Sequence, residues 1–286
     1  MKNLKILITA VGSPGSATNI KYLKEVKERK LSLIGTDLNH DKIGKYLCDD
    51  FYTVPKGDDK EFIPRLLEII KKEKPDVLFP QSSSEVIPLS QNKDLLEKEG
   101  VKVLISSEQA VYESENKAEL YKSLKDSPVK IPKFRIVNSL SDFLDAVKAL
   151  GYPKTPVCFK PPISKGTRGF RVLRDDVSRK HALLHERPIN RFISINEFKE
   201  IFENDPDFPE LLVMEFVEGE EHTTDPLARN GKTLLCPVKT RENERAGLAM
   251  KFVQTSNQKL VESTKYIVKK LKLDWILNVQ FIGEYL

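Results

Sequence analysis

Leu211-Leu212-Val213-Met214-Glu215-Phe216-Val217 runs into Glu218-Gly219-Glu220-Glu221-His222-Thr223-Thr224-Asp225, an apolar stretch that breaks at an acidic, glycine-bearing corner. The apolar stretch reads as a buried strand, and the residues after the corner as the strand it turns into. A strand end of this kind sets a backbone edge beside an apolar slot, which suits the exocyclic amine and ring nitrogen of an adenine. A carboxylate shortly after the turn suits the two hydroxyls of a ribose. An ordinary acidic hairpin has the same letters, so the reading depends on what stands before it.

Upstream, Phe159-Lys160-Pro161-Pro162 is followed by Ile163-Ser164-Lys165-Gly166-Thr167-Arg168-Gly169-Phe170. A lysine closing an apolar strand, then a loop of Gly, Ser and Thr, offers a triphosphate a point charge and close backbone N–H groups. Arg168 adds a mobile cation. A β-hairpin with exposed basic residues is the plainer reading of this segment alone. The order of a lysine strand, a glycine loop and then an acidic turn favours a nucleotide site.

Both clusters lie in a region that reads as α+β and mostly antiparallel. Helices are expected over residues 114–125 and 139–150, the second opened by an N-cap serine. Strands are expected at 134–137, 157–160, 170–173, 211–217, 221–228 and 233–239, with Asn230-Gly231 as a two-residue hairpin signal. A helix over 257–271 leads into a strand at 276–281. Residues 174–193, rich in Arg and His, read as a loose excursion.

Residues 1–112 follow another pattern. Apolar runs at 4–10, 31–36, 77–79 and 101–105 alternate with helical periodicity at 17–30, 61–74 and 86–99. Short strands separated by helices predict a doubly wound parallel sheet, with ligands near the C-terminal strand ends. Val11-Gly12-Ser13-Pro14-Gly15-Ser16 turns the first strand into the first helix, and Asp37 closes the second strand. The pair imitates a dinucleotide site, because helix N-termini attract phosphate. Yet the spacing is GxxG without the full GxGxxG, and Pro14 lacks a donor N–H. Pro80-Gln81-Ser82-Ser83-Ser84-Glu85 reads equally as a substrate-contact loop or an N-capped helix start.

With 286 residues, 40% of them hydrophobic, the chain can build two or three compact units. Its formal charge of +5 is spread out and forms no basic block, which argues against a nucleic-acid partner. No apolar run is long enough to span a bilayer, so no membrane partner is expected. The opening MKNLKILITAV passes at once into a glycine turn and reads as a strand, not a secretory signal. Cys48, Cys158 and Cys236 are isolated and odd in number, as expected of reduced thiols in a cytoplasmic protein. His40, His181, His185 and His222 have no zinc-ligand spacing.

The order Lys117, Lys160-Pro161, Gly166-Thr167-Arg168-Gly169, Met214-Glu215-Phe216-Val217, Gly219-x-Glu221 and Asn278-Val279-Gln280-Phe281 resembles the ATP-grasp superfamily. Within it the likeness is to the carbamoyl-phosphate-synthase large-subunit branch and its small relatives that join carboxylates to amines. The resemblance covers essentially the whole chain. It implies an α/β chain with a parallel-sheet pre-ATP-grasp domain over 1–112, then an α+β ATP-grasp domain in two lobes, 113–213 and 214–286. It implies that Lys117 and Lys160 hold the nucleotide phosphates, with Ser164, Gly166, Thr167, Arg168 and Gly169 as a mobile flap. Glu215, Phe216 and Val217 would read adenine through the backbone, and Glu221 would hold the ribose. Gln280 matches a magnesium-ligand position, and Arg241 stands where such proteins often place a cation for the acyl phosphate. The implied cofactors are ATP and Mg2+, the implied substrates a carboxylate and an amine, and a homodimer is an open option.

In that family a Glu-x-Asn-Pro-Arg type segment follows the Asn-Val-Gln-Phe strand and supplies a metal carboxylate. Here the sequence reads Ile282-Gly283-Glu284-Tyr285-Leu286 and stops. The expectation is an incomplete second lobe, with Glu284 in a hairpin turn. An ATP-dependent carboxylate–amine ligase is therefore set beside a nucleotide-binding module without turnover. A nicotinamide-dependent enzyme using the Gly12 turn and Asp37 is the third reading.

Overall fold

The computed structural model describes residues 2–164, 168–180, 184, 191–245 and 248–286. Mutual contact divides the chain into two units. One is Met1–Tyr112 with Leu227–Lys232 and Lys272–Ile276; the other is Glu113–Pro226 with Thr233–Leu271 and Leu277–Leu286.

The first unit runs β1 (Leu4–Ile8), α1 (Ser16–Lys24), β2 (Leu31–Asp37), α2 (Ile43–Leu47), β3 (Asp50–Thr53), α3 (Phe62–Glu73), β4 (Val77–Phe79), α4 (Val86–Gln91), α5 (Lys93–Glu97) and β5 (Lys102–Val103). The strands form one parallel sheet in the order β3-β2-β1-β4-β5. Apolar residues on both strand faces require cover on both sides. On one face Leu7, Ile34, Leu78 and Val103 pack with Phe62, Leu66, Ile69 and Ile70 of α3, whose i, i+4, i+7, i+8 spacing makes one apolar stripe. On the other, Ile6, Ile8 and Leu33 pack with Ile20 of α1. Sequence periodicity missed β3 and α2, because Asp50-Phe51-Tyr52-Thr53 is a short edge strand with exposed polar ends.

After α6 (Glu108–Glu115), the second unit begins with α7 (Lys117–Leu124), capped by Asn116, whose Oδ1 accepts from the N–H groups of Ala118 and Glu119. Then come β6 (Phe134–Val137), α8 (Leu140–Ala149), β7 (Val157–Lys160), β8 (Arg171–Leu173), β9 (Phe192–Ile193), α9 (Ile195–Phe202) and β10 (Leu211–Glu215). Their sheet has the order β6-β10-β7-β8-β9. One face carries Val157, Phe159, Leu211 and Val213 against α8 and α9, where the Phe143 and Phe198 rings stack at 3.8 Å. The other carries Cys158, Val172, Leu212 and Met214 against Tyr121 of α7. The sequence reading overlooked β9 and α9, although Ser194 caps α9 by accepting from the Glu197 N–H.

The rest of the chain is β11 (Glu221–Thr224), β12 (Leu227–Arg229), β13 (Lys232–Leu235), β14 (Val238–Arg245), β15 (Leu248–Thr255), α10 (Gln258–Lys270), β16 (Trp275–Ile276) and β17 (Val279–Ile282). Two strands expected as continuous break at prolines: 221–228 at Pro226 and 233–239 at Pro237. Proline has no N–H to donate to a ladder. A sheet of order β15-β14-β11-β17 lies in the second unit, backed by Leu260, Thr264, Ile267 and Val268 of α10. β12 and β16 pair within the first unit, where Asp274 exchanges two hydrogen bonds with the Ser106 hydroxyl. Asn230 and Gly231 turn with φ of 51° and 70°, the left-handed pair that their letters predict. Among the described residues no helix is long and apolar enough to cross a membrane.

Candidate functional site

Lys160 closes β7 after three buried residues and stands opposite Leu212, on the face that carries Cys158 and Met214. The Lys117 N–H at the start of α7 donates to Pro162 O at 2.9 Å, which draws the second lysine to the same place. Burial pushes the Lys160 ammonium down to about 8, and the charge of Lys117 pushes the same way. Two cations brought together in a desolvated place, with no acid to balance Lys160 among the described residues, make a place that an anion would relieve.

Beyond Lys160 the chain loops back to Gly169, which has φ 73°; a Cβ there would sit 2.6 Å from Pro161 Cδ. Only glycine allows this return. Ser164 is half-buried and Arg168 is exposed, while Gly166 and Thr167 lie outside the described residues, as do Lys165, His181 and His185.

At the end of β10 the Glu215 carboxylate accepts from the Lys133 N–H at 3.1 Å and pairs with Lys133 Nζ at 3.0 Å. The Phe216 N–H donates to Pro156 O at 2.9 Å, whereas the Val217 N–H makes no backbone hydrogen bond among the described residues. The Phe216 ring lies 6.5 Å from that of Phe170, and the Arg191 guanidinium covers both at 5.5 and 5.9 Å. Sequence reasoning assigned the backbone here but missed Lys133 and Arg191, which come from other elements.

The third sheet sets Thr223 opposite both Gln280 and Lys239, and Glu221 opposite Ile282. Strand alternation thus collects Glu221, Thr223, Lys239, Arg241 and Gln280 on one face, with His222, Thr224, Val238, Val279 and Phe281 turned toward α10. Arg241 Nε lies 3.3 Å from Glu221 Oε2; the guanidinium side chain is 8% exposed and the carboxylate 38%. Gln280 Nε2 donates to Asn278 Oδ1 at 3.3 Å, and Asn278 Nδ2 donates to Asp225 Oδ1 at 2.8 Å. Asp225 also pairs with Lys239. Asp225, Lys239 and Asn278 went unassigned in the sequence, although period-2 spacing from Glu221, Arg241 and Gln280 points to each.

Glu284 occupies the tight turn between Ile282 and Tyr285, beside Gly283 at φ 56°. Lys130 and Lys259 both hold its carboxylate, which is pushed down to about 2 by these hydrogen bonds. The same turn returns Leu286 to the Tyr121–Met214 cluster, where Leu286 O accepts from the Tyr121 hydroxyl at 2.8 Å.

In the first unit, Asp37 accepts from the N–H groups of Gly12 at 2.8 Å and Asn39 at 3.1 Å. The Lys42 stem fills the space over Gly12, 2.5 Å from where a Cβ would stand, and Gly44 packs on Val11. The chain itself occupies the glycine turn and the acid that the nicotinamide reading requires.

Two families match by sequence. The one described as "PylC-like, N-terminal domain" matches residues 6–104, and "ATP-grasp in the biosynthetic pathway with Ter operon" matches residues 207–284. Over residues 207–284 the chain matches an ATP-grasp family. The carbamoyl phosphate synthase large chain of Clostridium acetobutylicum is 26% identical over 234 residues, covering 78% of this chain and 20% of that protein. The N-terminal section of the Aquifex aeolicus large chain is 32% identical over 131 residues, 42% of this chain and 23% of that one. The chain thus spans about a fifth of the length of the curated relatives it matches. Among solved structures, Staphylococcus aureus N5-carboxyaminoimidazole synthetase complexed with ADP has a TM-score of 0.68 at 17% identity, covering 98% of this chain and 66% of that one. The biotin carboxylase domain of Hydrogenobacter thermophilus 2-oxoglutarate carboxylase, in complex with MgADP, ADP and bicarbonate, has a TM-score of 0.70 at 15% identity over 98% and 61%. These likenesses show a shared ATP-grasp fold.

Proposed function

We propose that this chain binds ATP in its second unit and activates a carboxylate as an acyl phosphate, which an amine or ammonia then captures. The observation that carries this reading is the Lys117–Lys160 pair at the end of β7, two cations with no acid among the described residues to balance Lys160. A triphosphate supplies the missing negative charge. Adenine would lie along Glu215, Phe216 and Val217, the ribose hydroxyls on Glu221, and the Ser164, Gly166, Thr167, Arg168 and Gly169 loop over the phosphates. In this reading residues 1–112 are the pre-ATP-grasp domain, with 113–213 and 214–286 as the gripping lobes of a cytoplasmic enzyme.

The carboxylate oxygen would attack the γ-phosphorus, the bond to the β–γ bridging oxygen would break, and ADP would leave. The amine nitrogen would then attack the acyl carbon and expel phosphate. The chain's own work is to neutralise and position, with Arg241 toward the acyl phosphate. Magnesium, when bound, offsets the charge on the phosphate oxygens. Among the described residues no cluster of three acidic, His or Cys ligands exists. The Gln280 amide oxygen fits a hard cation that keeps phosphate and water as most of its ligands.

Thermal unfolding tests the nucleotide assignment: ATP or ADP raises Tm and NAD does not, and equal stabilisation by NAD overturns it. One observation favours a module without turnover. Three acids of the second unit are held by cations, Glu221 by Arg241, Asp225 by Lys239 and Glu284 by Lys130 and Lys259. Magnesium-dependent ADP release with a panel of carboxylates and amines separates the two readings.

A further inference from the structure

We infer that Asp225 is a positioning residue that, acting through Asn278, turns the amide oxygen of Gln280 outward to meet a divalent cation. The inference rests on the reading of Gln280 as a metal-holding residue and explains how a neutral amide is made into a directed ligand.

An amide side chain can present either its oxygen or its NH2, and only the oxygen can ligate a hard cation. What selects between them here is a relay that runs from β14 past the end of β11 to β17. Lys239 pairs with one oxygen of Asp225 and so fixes the carboxylate. The other oxygen, Oδ1, can only accept, so Asn278 must offer it Nδ2, at 2.8 Å. The same Nδ2 reaches the Thr223 hydroxyl oxygen at 3.3 Å. With its NH2 committed to Asp225, Asn278 has only Oδ1 left for Gln280, and Gln280 Nε2 donates to it at 3.3 Å. Gln280 is exposed, and the end of its amide not used in the relay is the oxygen. Reversing either amide sets two donors or two acceptors face to face. The direction of the whole relay is therefore set at its far end, by a residue that can accept and cannot donate.

Asp225→Asn is nearly isosteric but can do both, so it removes the direction while keeping the shape. The experiment is calorimetric ADP binding to the full chain, with Mg2+ and again in EDTA. We expect Mg2+ to tighten ADP binding in the parent chain, and Asp225→Asn to lose about tenfold of that gain. Affinity in EDTA stays unchanged, Asp225→Glu keeps most of the gain, and Gln280→Leu abolishes it. Asn278→Leu, which cuts the relay at its middle, shows the same loss and serves if Asp225→Asn does not fold. An Asp225→Asn protein that keeps the full gain while Gln280→Leu loses it overturns the positioning role and leaves the Gln280 reading standing. Equal weakening in Mg2+ and in EDTA reduces Asp225 to a structural residue and also overturns it. Retention of the gain by Gln280→Leu overturns both.

Discussion

Arg241 on β14 and Glu221 on β11 hold each other, Nε to Oε2 at 3.3 Å, although the sequence assigns one to the acyl phosphate and the other to the ribose. A nearly buried guanidinium therefore depends on the acid that is to bind the sugar. Glu221→Ala should weaken ATP binding by on the order of 1–3 kcal/mol, the cost of unpaired ribose hydroxyls. It should also lower folding stability by about 1 kcal/mol, because the Arg241 guanidinium loses this ion pair. Denaturant unfolding of Glu221→Ala, Arg241→Met and the double variant reads the coupling. Additive effects would mean that the pair contributes nothing.

Lys160 is held at a strand end, so its loss should be felt by the phosphates alone. Lys160→Met should weaken ATP at least tenfold and leave adenosine affinity within about twofold. Equal loss for both ligands in calorimetry would point to a folding defect.

The same lysine makes binding proton-linked. Its pKa is pushed down to about 8 by burial and by Lys117, against about 10.4 in an unfolded chain. Between those values the unfolded chain binds more protons, so stability rises with pH across that window and is lowest below it. A polyanion favours the charged form, so ATP binding near pH 9 should take up a proton. Calorimetry in buffers of differing ionisation enthalpy measures the uptake, and Lys160→Met should remove it.

In the first unit burial pushes Glu85 up from 4.5 to about 7 against the opposing hydrogen bonds from Thr9 and Ser82, with Asp37 adding to the rise. A raised carboxyl contributes stability that is complete below about 4.5 and lost as the pH rises through 7. Glu85→Gln should therefore gain on the parent chain as the pH goes from 5 to 8, by up to about 3 kcal/mol. A pH-independent difference in urea unfolding would show that Glu85 is ionised throughout.

The parallel sheet was legible because its strands are apolar on both faces and separated by helical stripes, a pattern that needs no distant partner to recognise. The Asn230-Gly231 turn and the cap at Ser139 were legible for the same local reason. β3 was not, since Asp50–Thr53 becomes a strand by packing on neighbours remote in sequence, whereas α9 carried a local signal in its Ser194 cap that went unread.

The site divides along the same line. Letters and their order alone determined the lysine strand, the glycine return at Gly169, the acidic corner and the Asn278-to-Phe281 strand, because each is a local demand for charge, small size or alternation. Tertiary structure decided which charges meet. It set Lys117 beside Lys160, closed Glu221 on Arg241, and lined up Lys239, Asp225, Asn278 and Gln280 across three strands. Coulombic and hydrogen-bond energies act over a few ångströms of space and take no account of separation along the chain, so only the strand register could fix these partners.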